Sequence, residues 1–276
     1  MPEGPEVETI RLDIEPLLVE QKIKSTWISP VLYPATQKRN QFKTLEGKTI
    51  SALGRHGKLL WINTSEEHYL LVRLGMTGRL HVQHRDDSLE KHTHVRIQLN
   101  SGNELRYIDS RRFGSVTLVQ TEAEKLFEIQ KMGPDPFSWD IKQKKEIIKR
   151  IQKSERSIKT ILLDQSVLAG VGNIYASEAL FVAKIAPEKK GTELSAQKLL
   201  SLLDAVQDVM KLALHHRGTS FMSYVDGWGK KGDNLSRLWV FARTEQPCKI
   251  CGTAIEQKVQ ANRSTFYCPK CQKDRR

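Results

Sequence analysis

All four cysteines of this 276-residue chain lie between positions 248 and 271, as two CxxC pairs: Cys248-Lys-Ile-Cys251 and Cys268-Pro-Lys-Cys271. Two tight turns that each aim a pair of sulfurs at one point suit tetrahedral coordination of a single Zn2+ by four thiolates. Such a set leaves no position open for water, so the expected ion is structural. A segment this short cannot bury enough apolar surface to fold by itself, and the metal is expected to fold it. Two disulfides in a secreted protein are the alternative. No leader-like segment precedes the chain, and no further cysteine exists to join a disulfide framework. From Gln257 onward the tail carries Lys258, Arg263, Lys270, Lys273, Arg275 and Arg276 against a single acid, Asp274. A basic module of this kind points to nucleic acid.

Two other places have residues suited to chemistry. Once the initiator is removed, Pro2 is a secondary α-amine, far less protonated at neutral pH than a lysine. Such an amine attacks a sugar aldehyde carbon to give an iminium ion, an electron sink that allows the neighbouring phosphate to be eliminated. Glu3, one residue away, is placed to act as acid or base. The bland alternative is an idle terminus. Further on, Gly170-Val-Gly-Asn173 runs into the helical segment Ile174–Phe181. A tight turn before a helix start presents free N–H groups and a positive dipole end to a phosphate, with Asn173 as the expected cap. An ordinary helix–turn–helix connection with packing glycines is the competing reading.

The composition narrows the partners. Lys and Arg number 44 against 32 Asp and Glu, a formal net charge of +12, which implies a polyanionic partner. No apolar run approaches the roughly 18 residues of a membrane span, so nucleic acid is favoured over a membrane. Cysteines confined to a metal site imply a reducing, cytoplasmic setting.

The elements that must hold these residues change character along the chain. Residues 1–132 read as β structure, apart from an amphipathic helix opening at Pro5 with Val7, Ile10 and Ile14 on one face. Val95, Ile97 and Leu99 alternate within 94–99, and Asn100-Ser-Gly-Asn103 turns the chain into 105–108, a hairpin signature. Segments 69–74 and 115–119 are further strands. Pro134 and Pro136 break regular structure at a boundary. Beyond it the spacing predicts helices over 141–151, 157–164 and 195–216, the last with Leu199, Leu203, Val206, Met210 and Ala213 in one stripe. The glycine-rich segment 219–234 reads as a mobile loop.

Six motifs then occur in order: Pro2-Glu-Gly-Pro-Glu-Val-Glu8, Gly57-Lys58, Gly75-Met-Thr-Gly78, Asp109-Ser-Arg-Arg-Phe-Gly114, Gln165 through Glu178 and Arg263-Ser-Thr-Phe-Tyr-Cys268. Over its whole length the chain resembles the formamidopyrimidine-DNA glycosylase / endonuclease VIII family, on its bacterial formamidopyrimidine branch. The resemblance implies an α+β chain. Its parts are a two-layer β-sandwich with an N-terminal helix (1–132), a helix-two-turn-helix domain (133–234) and a zinc β-hairpin module (235–276), with damaged double-stranded DNA in the cleft. It implies a monomeric, bifunctional glycosylase and AP lyase that excises oxidised purines and cuts the strand by β,δ-elimination. Pro2 is then the Schiff-base nucleophile and Glu3 the acid assisting base release. Lys58 is the proton donor of β-elimination and a phosphate contact, and Arg263 is linked to δ-elimination. Asn173 and Lys159 match backbone-contacting residues, and His92 matches a DNA-contacting histidine whose alternative is a hydrogen-bonded strand end. Met76, Arg111 and Phe113 match the trio that fills the gap left by a flipped nucleotide.

Two positions depart from the branch. Gly4 stands where Leu is usual, giving the PEGP opening of the endonuclease VIII group, which prefers oxidised pyrimidines. Ser110 stands where Pro is usual. A pyrimidine-specific glycosylase and a non-catalytic binder of damaged duplex are the rival functions.

Overall fold

The computed structural model describes residues 2–31, 39–221 and 223–273. Two compact units divide the chain, Met1–Lys131 with His216–Leu235 and Met132–His215 with Ser236–Arg276.

The first unit begins with helix α1 (Gly4–Leu18), which has Glu3 as its N-cap residue and Pro5 in its first turn. Val7, Ile10, Ile14 and Leu18 are buried at helical spacing, each contributing roughly 2 kcal/mol of transfer free energy. Among the described residues eight strands follow: β1 (Ile23–Ile28), β2 (Ile50–His56), β3 (Leu59–Thr64), β4 (Tyr69–Arg73), β5 (Arg79–His84), β6 (Thr93–Leu99), β7 (Asn103–Ile108) and β8 (Ser115–Val119). They form two antiparallel sheets, in the orders β1-β6-β7-β5 and β2-β3-β4-β8. Inward residues of both sheets, among them Leu60, Val72, Val95, Ile97 and Leu105, share one core with the α1 stripe. Helix α2 (Glu122–Gln130) closes the unit on a capping box from Thr121 and Glu124. The β reading of 1–132 passes over α2, although its Thr-x-x-Glu start is legible in the sequence.

The described residues of the loop predicted from the glycines, 219–221 and 223–234, are tied to α1. Thr219 N donates to Glu6 Oε1 at 2.8 Å, Gly227 N to Asp13 Oδ2 at 3.0 Å, and Arg217 bridges Asp13 and Asp226 at 2.7 and 2.5 Å.

The second unit contains α3 (Ile141–Ile151), α4 (Ile158–Leu162), α5 (Asn173–Val182), α6 (Ala196–His215) and the hairpin β9 (Glu256–Gln260) with β10 (Arg263–Tyr267). Ala261 and Asn262 connect the two strands with φ of 47° and 58°, the left-handed pair that a tight two-residue hairpin turn requires. The metal-binding module does not stand apart. Ile255, Phe266, Cys248 and Cys268 belong to the same apolar cluster as Leu180, Phe181 and Val206. Phe266 meets Phe241 edge-on at 4.9 Å, and Gln272 Nε2 donates to Ile185 O at 2.9 Å. No helix among the described residues is long and apolar enough to cross a membrane.

Candidate functional site

Pro2 and Glu3 are both buried at the start of α1, with Glu3 only 2% exposed. Glu3 N donates to Glu6 Oε2 at 2.8 Å, and the other Glu6 oxygen takes Thr219 N, so one carboxylate fixes both the helix start and the following loop. Met1 lies outside the described residues. Lys58 sits in the β2–β3 turn beside Gly57, whose φ is +58°. That turn is pinned to α1 through Arg55, which donates to Glu8 Oε2 at 2.8 Å and to Gly57 O at 2.9 Å. Burial pushes the Glu8 carboxyl up, but its bonds to Arg11 and Arg55 outweigh this and hold it below its ordinary value. Glu8 is therefore a stable anion in the brace between helix and turn.

Met76, Arg111 and Phe113 lie on two loops of the same unit. Met76 follows β4 and is half-buried, while Arg111 and Phe113 precede β8 and are exposed, Phe113 by 60%. The Arg111 guanidinium lies 4.6 Å from the Phe113 ring centroid. His92 is exposed with φ +67°, and its carbonyl accepts from Asp109 N at 3.0 Å. His94, two residues on, is buried and bonds Asp109 O through Nε2 at 3.0 Å.

In the second unit the structure gathers Lys159, Asn173 and the residue after Arg263. Asn173 does not cap α5. Gly172 is the N-cap and Asn173 the first helical residue, so the Asn173 amide is free of the capping role and reaches the hairpin instead. Its Nδ2 donates to Ser264 O at 2.9 Å, and its Oδ1 is buried without a hydrogen-bond partner. The Lys159 ammonium is turned inward, at 1% exposure for the residue, and donates to Ser264 O and Thr265 Oγ1, both at 2.8 Å. Arg263 itself is exposed at the first position of β10, paired with Gln260.

The four cysteine sulfurs all lie within 4.8 Å of one another, with Cys248–Cys271 at 3.9 Å and Cys251–Cys268 at 3.5 Å. None forms a disulfide. A tetrahedron with metal–sulfur bonds of ~2.3 Å has edges of about 3.8 Å, so these sulfurs fit one metal ion. Ile250 N and Cys271 N each approach a cysteine sulfur at 3.4 Å, the N–H···S contacts that orient paired thiolates.

Two further buried carboxylates, Glu178 and Asp109, organise the backbone around these residues. Glu178 accepts Trp239 N, Val240 N and Phe241 N at 2.7, 2.9 and 2.9 Å and so holds the chain entering the metal module. Asp109 collects donors from both loops of the first unit. A sequence signal existed for Asp109: an Asp before an irregular turn bonds backbone two residues on, as Arg111 N does at 3.2 Å. Glu178 lies within a helix and offered none.

Residues 1–116 match the formamidopyrimidine-DNA glycosylase N-terminal domain, residues 132–224 its H2TH domain, and residues 245–273 a zinc finger found in FPG and IleRS. A formamidopyrimidine-DNA glycosylase of Desulforamulus reducens is 41% identical over 99% of both chains. One of Herpetosiphon aurantiacus is 38% identical over 99% of this chain and all of that one. Among solved structures, a Lactococcus lactis FPG mutant with Fapy-dG-containing DNA superposes with a TM-score of 0.89 at 33% identity. MutM with carbocyclic 8-oxo-G-containing DNA gives 0.88 at 33% identity. Each covers 99% of this chain and 100% of its own.

Proposed function

The chain belongs to the formamidopyrimidine-DNA glycosylase family, and on that premise we propose that it excises oxidised purines from duplex DNA and then cleaves the strand. The observation that carries the reading is the bracing of the N-terminal amine. Glu6 ties the helix start to Thr219, and Glu8 through Arg55 ties the same helix to the turn of Lys58. Such bracing holds reacting groups in one geometry, as formation of a covalent intermediate requires.

In this mechanism the Pro2 nitrogen, freed by removal of Met1, attacks the sugar C1′. The glycosidic bond breaks with its electron pair leaving on the base, assisted by a proton from Glu3; the Pro2 nitrogen then returns its proton to the Glu3 carboxylate, which passes it to O4′ as the C1′–O4′ bond opens. The resulting iminium makes the C2′ proton acidic. Its loss expels the 3′ phosphate with Lys58 donating a proton, and a second elimination near Arg263 expels the 5′ phosphate. Lys58, Asn173 and Arg263 hold backbone phosphates. Lys159, expected from the resemblance to be a further phosphate contact, has its ammonium turned inward onto Ser264 O and Thr265 Oγ1 and so seats the hairpin that carries Arg263, and His92 touches the DNA. Met76, Arg111 and Phe113 fill the vacated stack. The ion held by Cys248, Cys251, Cys268 and Cys271 is Zn2+, one per chain, which keeps the hairpin folded and takes no part in the chemistry.

Borohydride present during reaction with an abasic-site duplex traps an adduct on residue 2. An adduct mapped to a lysine instead would remove Pro2 from the mechanism. Excision of 8-oxoguanine opposite cytosine exceeds that of thymine glycol. Equal rates, or a pyrimidine preference, would assign the protein to the endonuclease VIII side, as Gly4 alone suggests.

A further inference from the structure

We propose that Asp109 is a positioning residue for base extrusion: its buried carboxylate locks together the two loops that carry Met76, Arg111 and Phe113. The inference rests on the void-filling role proposed above for those three side chains.

Asp109 is fully buried, and its carboxylate accepts four hydrogen bonds. Oδ1 takes Thr77 Oγ1 at 2.5 Å and Arg111 N at 3.2 Å, and Oδ2 takes Gly114 N at 2.9 Å and Tyr107 Oη at 3.2 Å. Thr77 directly follows Met76, and the two backbone donors bracket Phe113. The Thr77 hydroxyl also accepts from Arg111 N at 3.2 Å, closing a ring of bonds between the loops. The Asp109 main chain is held as well, its N–H on His92 O and its carbonyl on the His94 ring.

The loops meet backbone to backbone at this point. A Cβ on Gly75 would lie 2.5 Å from Gly114 N, and one on Gly114 would lie 2.1 Å from Tyr107 Oη and 2.3 Å from Arg73 O. No side chain fits between them, so the carboxylate beside the crossing sets their spacing. Its state suits the task. Burial raises its pKa, but Thr77, Gly114, Tyr107 and Arg111 together lower it further than burial raises it. Burial and the Asp109 charge push the Tyr107 hydroxyl up, so Tyr107 remains a donor. Position 110 adds a reason specific to this chain. Ser110 lacks the ring that would fix φ there, which leaves the Asp109 bonds to order the turn.

The wedge acts only while a base leaves the stack, so its misplacement slows extrusion and spares later steps. Asp109→Asn keeps the size but turns one acceptor oxygen into an amide that cannot receive Gly114 N or Arg111 N. With saturating enzyme and 8-oxoguanine paired to cytosine, single-turnover excision falls by about 100-fold, the scale of an ångström-sized misplacement. A 2-aminopurine reporter beside the lesion shows slowed unstacking. Processing of a preformed abasic site and affinity for undamaged duplex stay at wild-type values.

Thr77→Val removes one bond and keeps the carboxylate. It gives the same pattern more weakly and serves if Asp109→Asn does not fold. Equal losses on the paired lesion and the abasic site would overturn the proposal, as would wild-type excision by both variants. Met76→Ala and Phe113→Ala run alongside. If those two excise the paired lesion at the wild-type rate, the void-filling role has failed, and the proposal fails with it. If they are slow while both lock variants are fast, only the role of Asp109 has failed.

Discussion

Two exposed arginines, Arg111 in the first unit and Arg263 in the second, are presented by turns held in opposite senses. Beneath Arg111 lies a buried anion, the Asp109 carboxylate, which collects N–H and O–H donors from two loops. Beneath Arg263 lies a buried cation, Lys159, which together with the Asn173 amide converges on the carbonyl of Ser264. The difference follows from what each backbone leaves over. An irregular loop has spare N–H groups and needs an acceptor. A hairpin whose strand partner is on one side has outward carbonyls and needs donors. Each solution places a formal charge out of water, which is tolerable only when it is fully hydrogen-bonded. Neither charge is offered to solvent, although both stand next to an arginine that is.

The largest expected break in this comparison comes from the metal. Cys268→Ser lowers the metal content below one per chain, and structural thiolate sites contribute on the order of 10 kcal/mol of folding free energy. The hairpin of Arg263 loosens and duplex affinity falls, while the Arg111 loop in the other unit keeps its order. Calorimetry should show the transition of the C-terminal unit moving to lower temperature and that of the N-terminal unit unchanged. Because Ile255 and Phe266 share the helical core, part of the hairpin contact survives metal loss. A variant with full metal content and native affinity would show that the four cysteines do not form the site.

A smaller and more specific break is Lys159→Met, which removes two hydrogen bonds from a charged donor and is expected to destabilise the second unit by about 3 kcal/mol. Binding to damaged and undamaged duplex weakens alike, since phosphate contacts carry no sequence information. The salt dependence separates two routes to that loss. Arg263→Ala flattens the log–log slope by roughly one unit. If Lys159 acts by seating the hairpin, adding Lys159→Met to Arg263→Ala leaves the slope where it was. A further unit of flattening in the double variant would mean that the ammonium reaches a phosphate itself.

The contrast also explains what the sequence made legible. The strands 94–99 and 115–119, the helix 141–151 and the α6 stripe follow from apolar periodicity, which burial on one face imposes. The cysteine cluster follows from spacing alone. Asn173 was recognisable as a polar residue at a helix start, but its use was not, because capping is a local bond and the Ser264 carbonyl lies 91 residues away. Lys159 is legible through the resemblance as a basic residue that contacts the DNA backbone, but nothing in its neighbours tells a buried ammonium from a solvated one. Asp109 had a local signal through Arg111 N, but its bond to Thr77 spans 32 residues and belongs to the tertiary fold. Residues that bond within a turn can be read from sequence. Residues that bond across the fold need the topology first.

The smallest effect separates the two anchors by pH. The Asp109 pKa is lowered in the folded protein, so its contribution is present above the ordinary carboxylate value of ~3.9 and is lost as pH falls through the lower, folded value. Nothing is expected between neutrality and about pH 4. Below that, protonation converts an acceptor oxygen into a donor facing Gly114 N and Arg111 N, and the loop opens. The Ser264 carbonyl has no such titration, so the hairpin does not share this acid limb. Amide hydrogen exchange reads both at once. Protection at Arg111 and Gly114 should fall below about pH 4 in the wild type, while the β10 amides hold until the unit unfolds. Asp109→Asn should start from lower protection and show no acid limb at those two amides. If loop and hairpin lose protection together, or if the Gly114 amide opens near pH 6, the carboxylate is not what holds the loop, and the contrast between the two anchors fails on its anionic side.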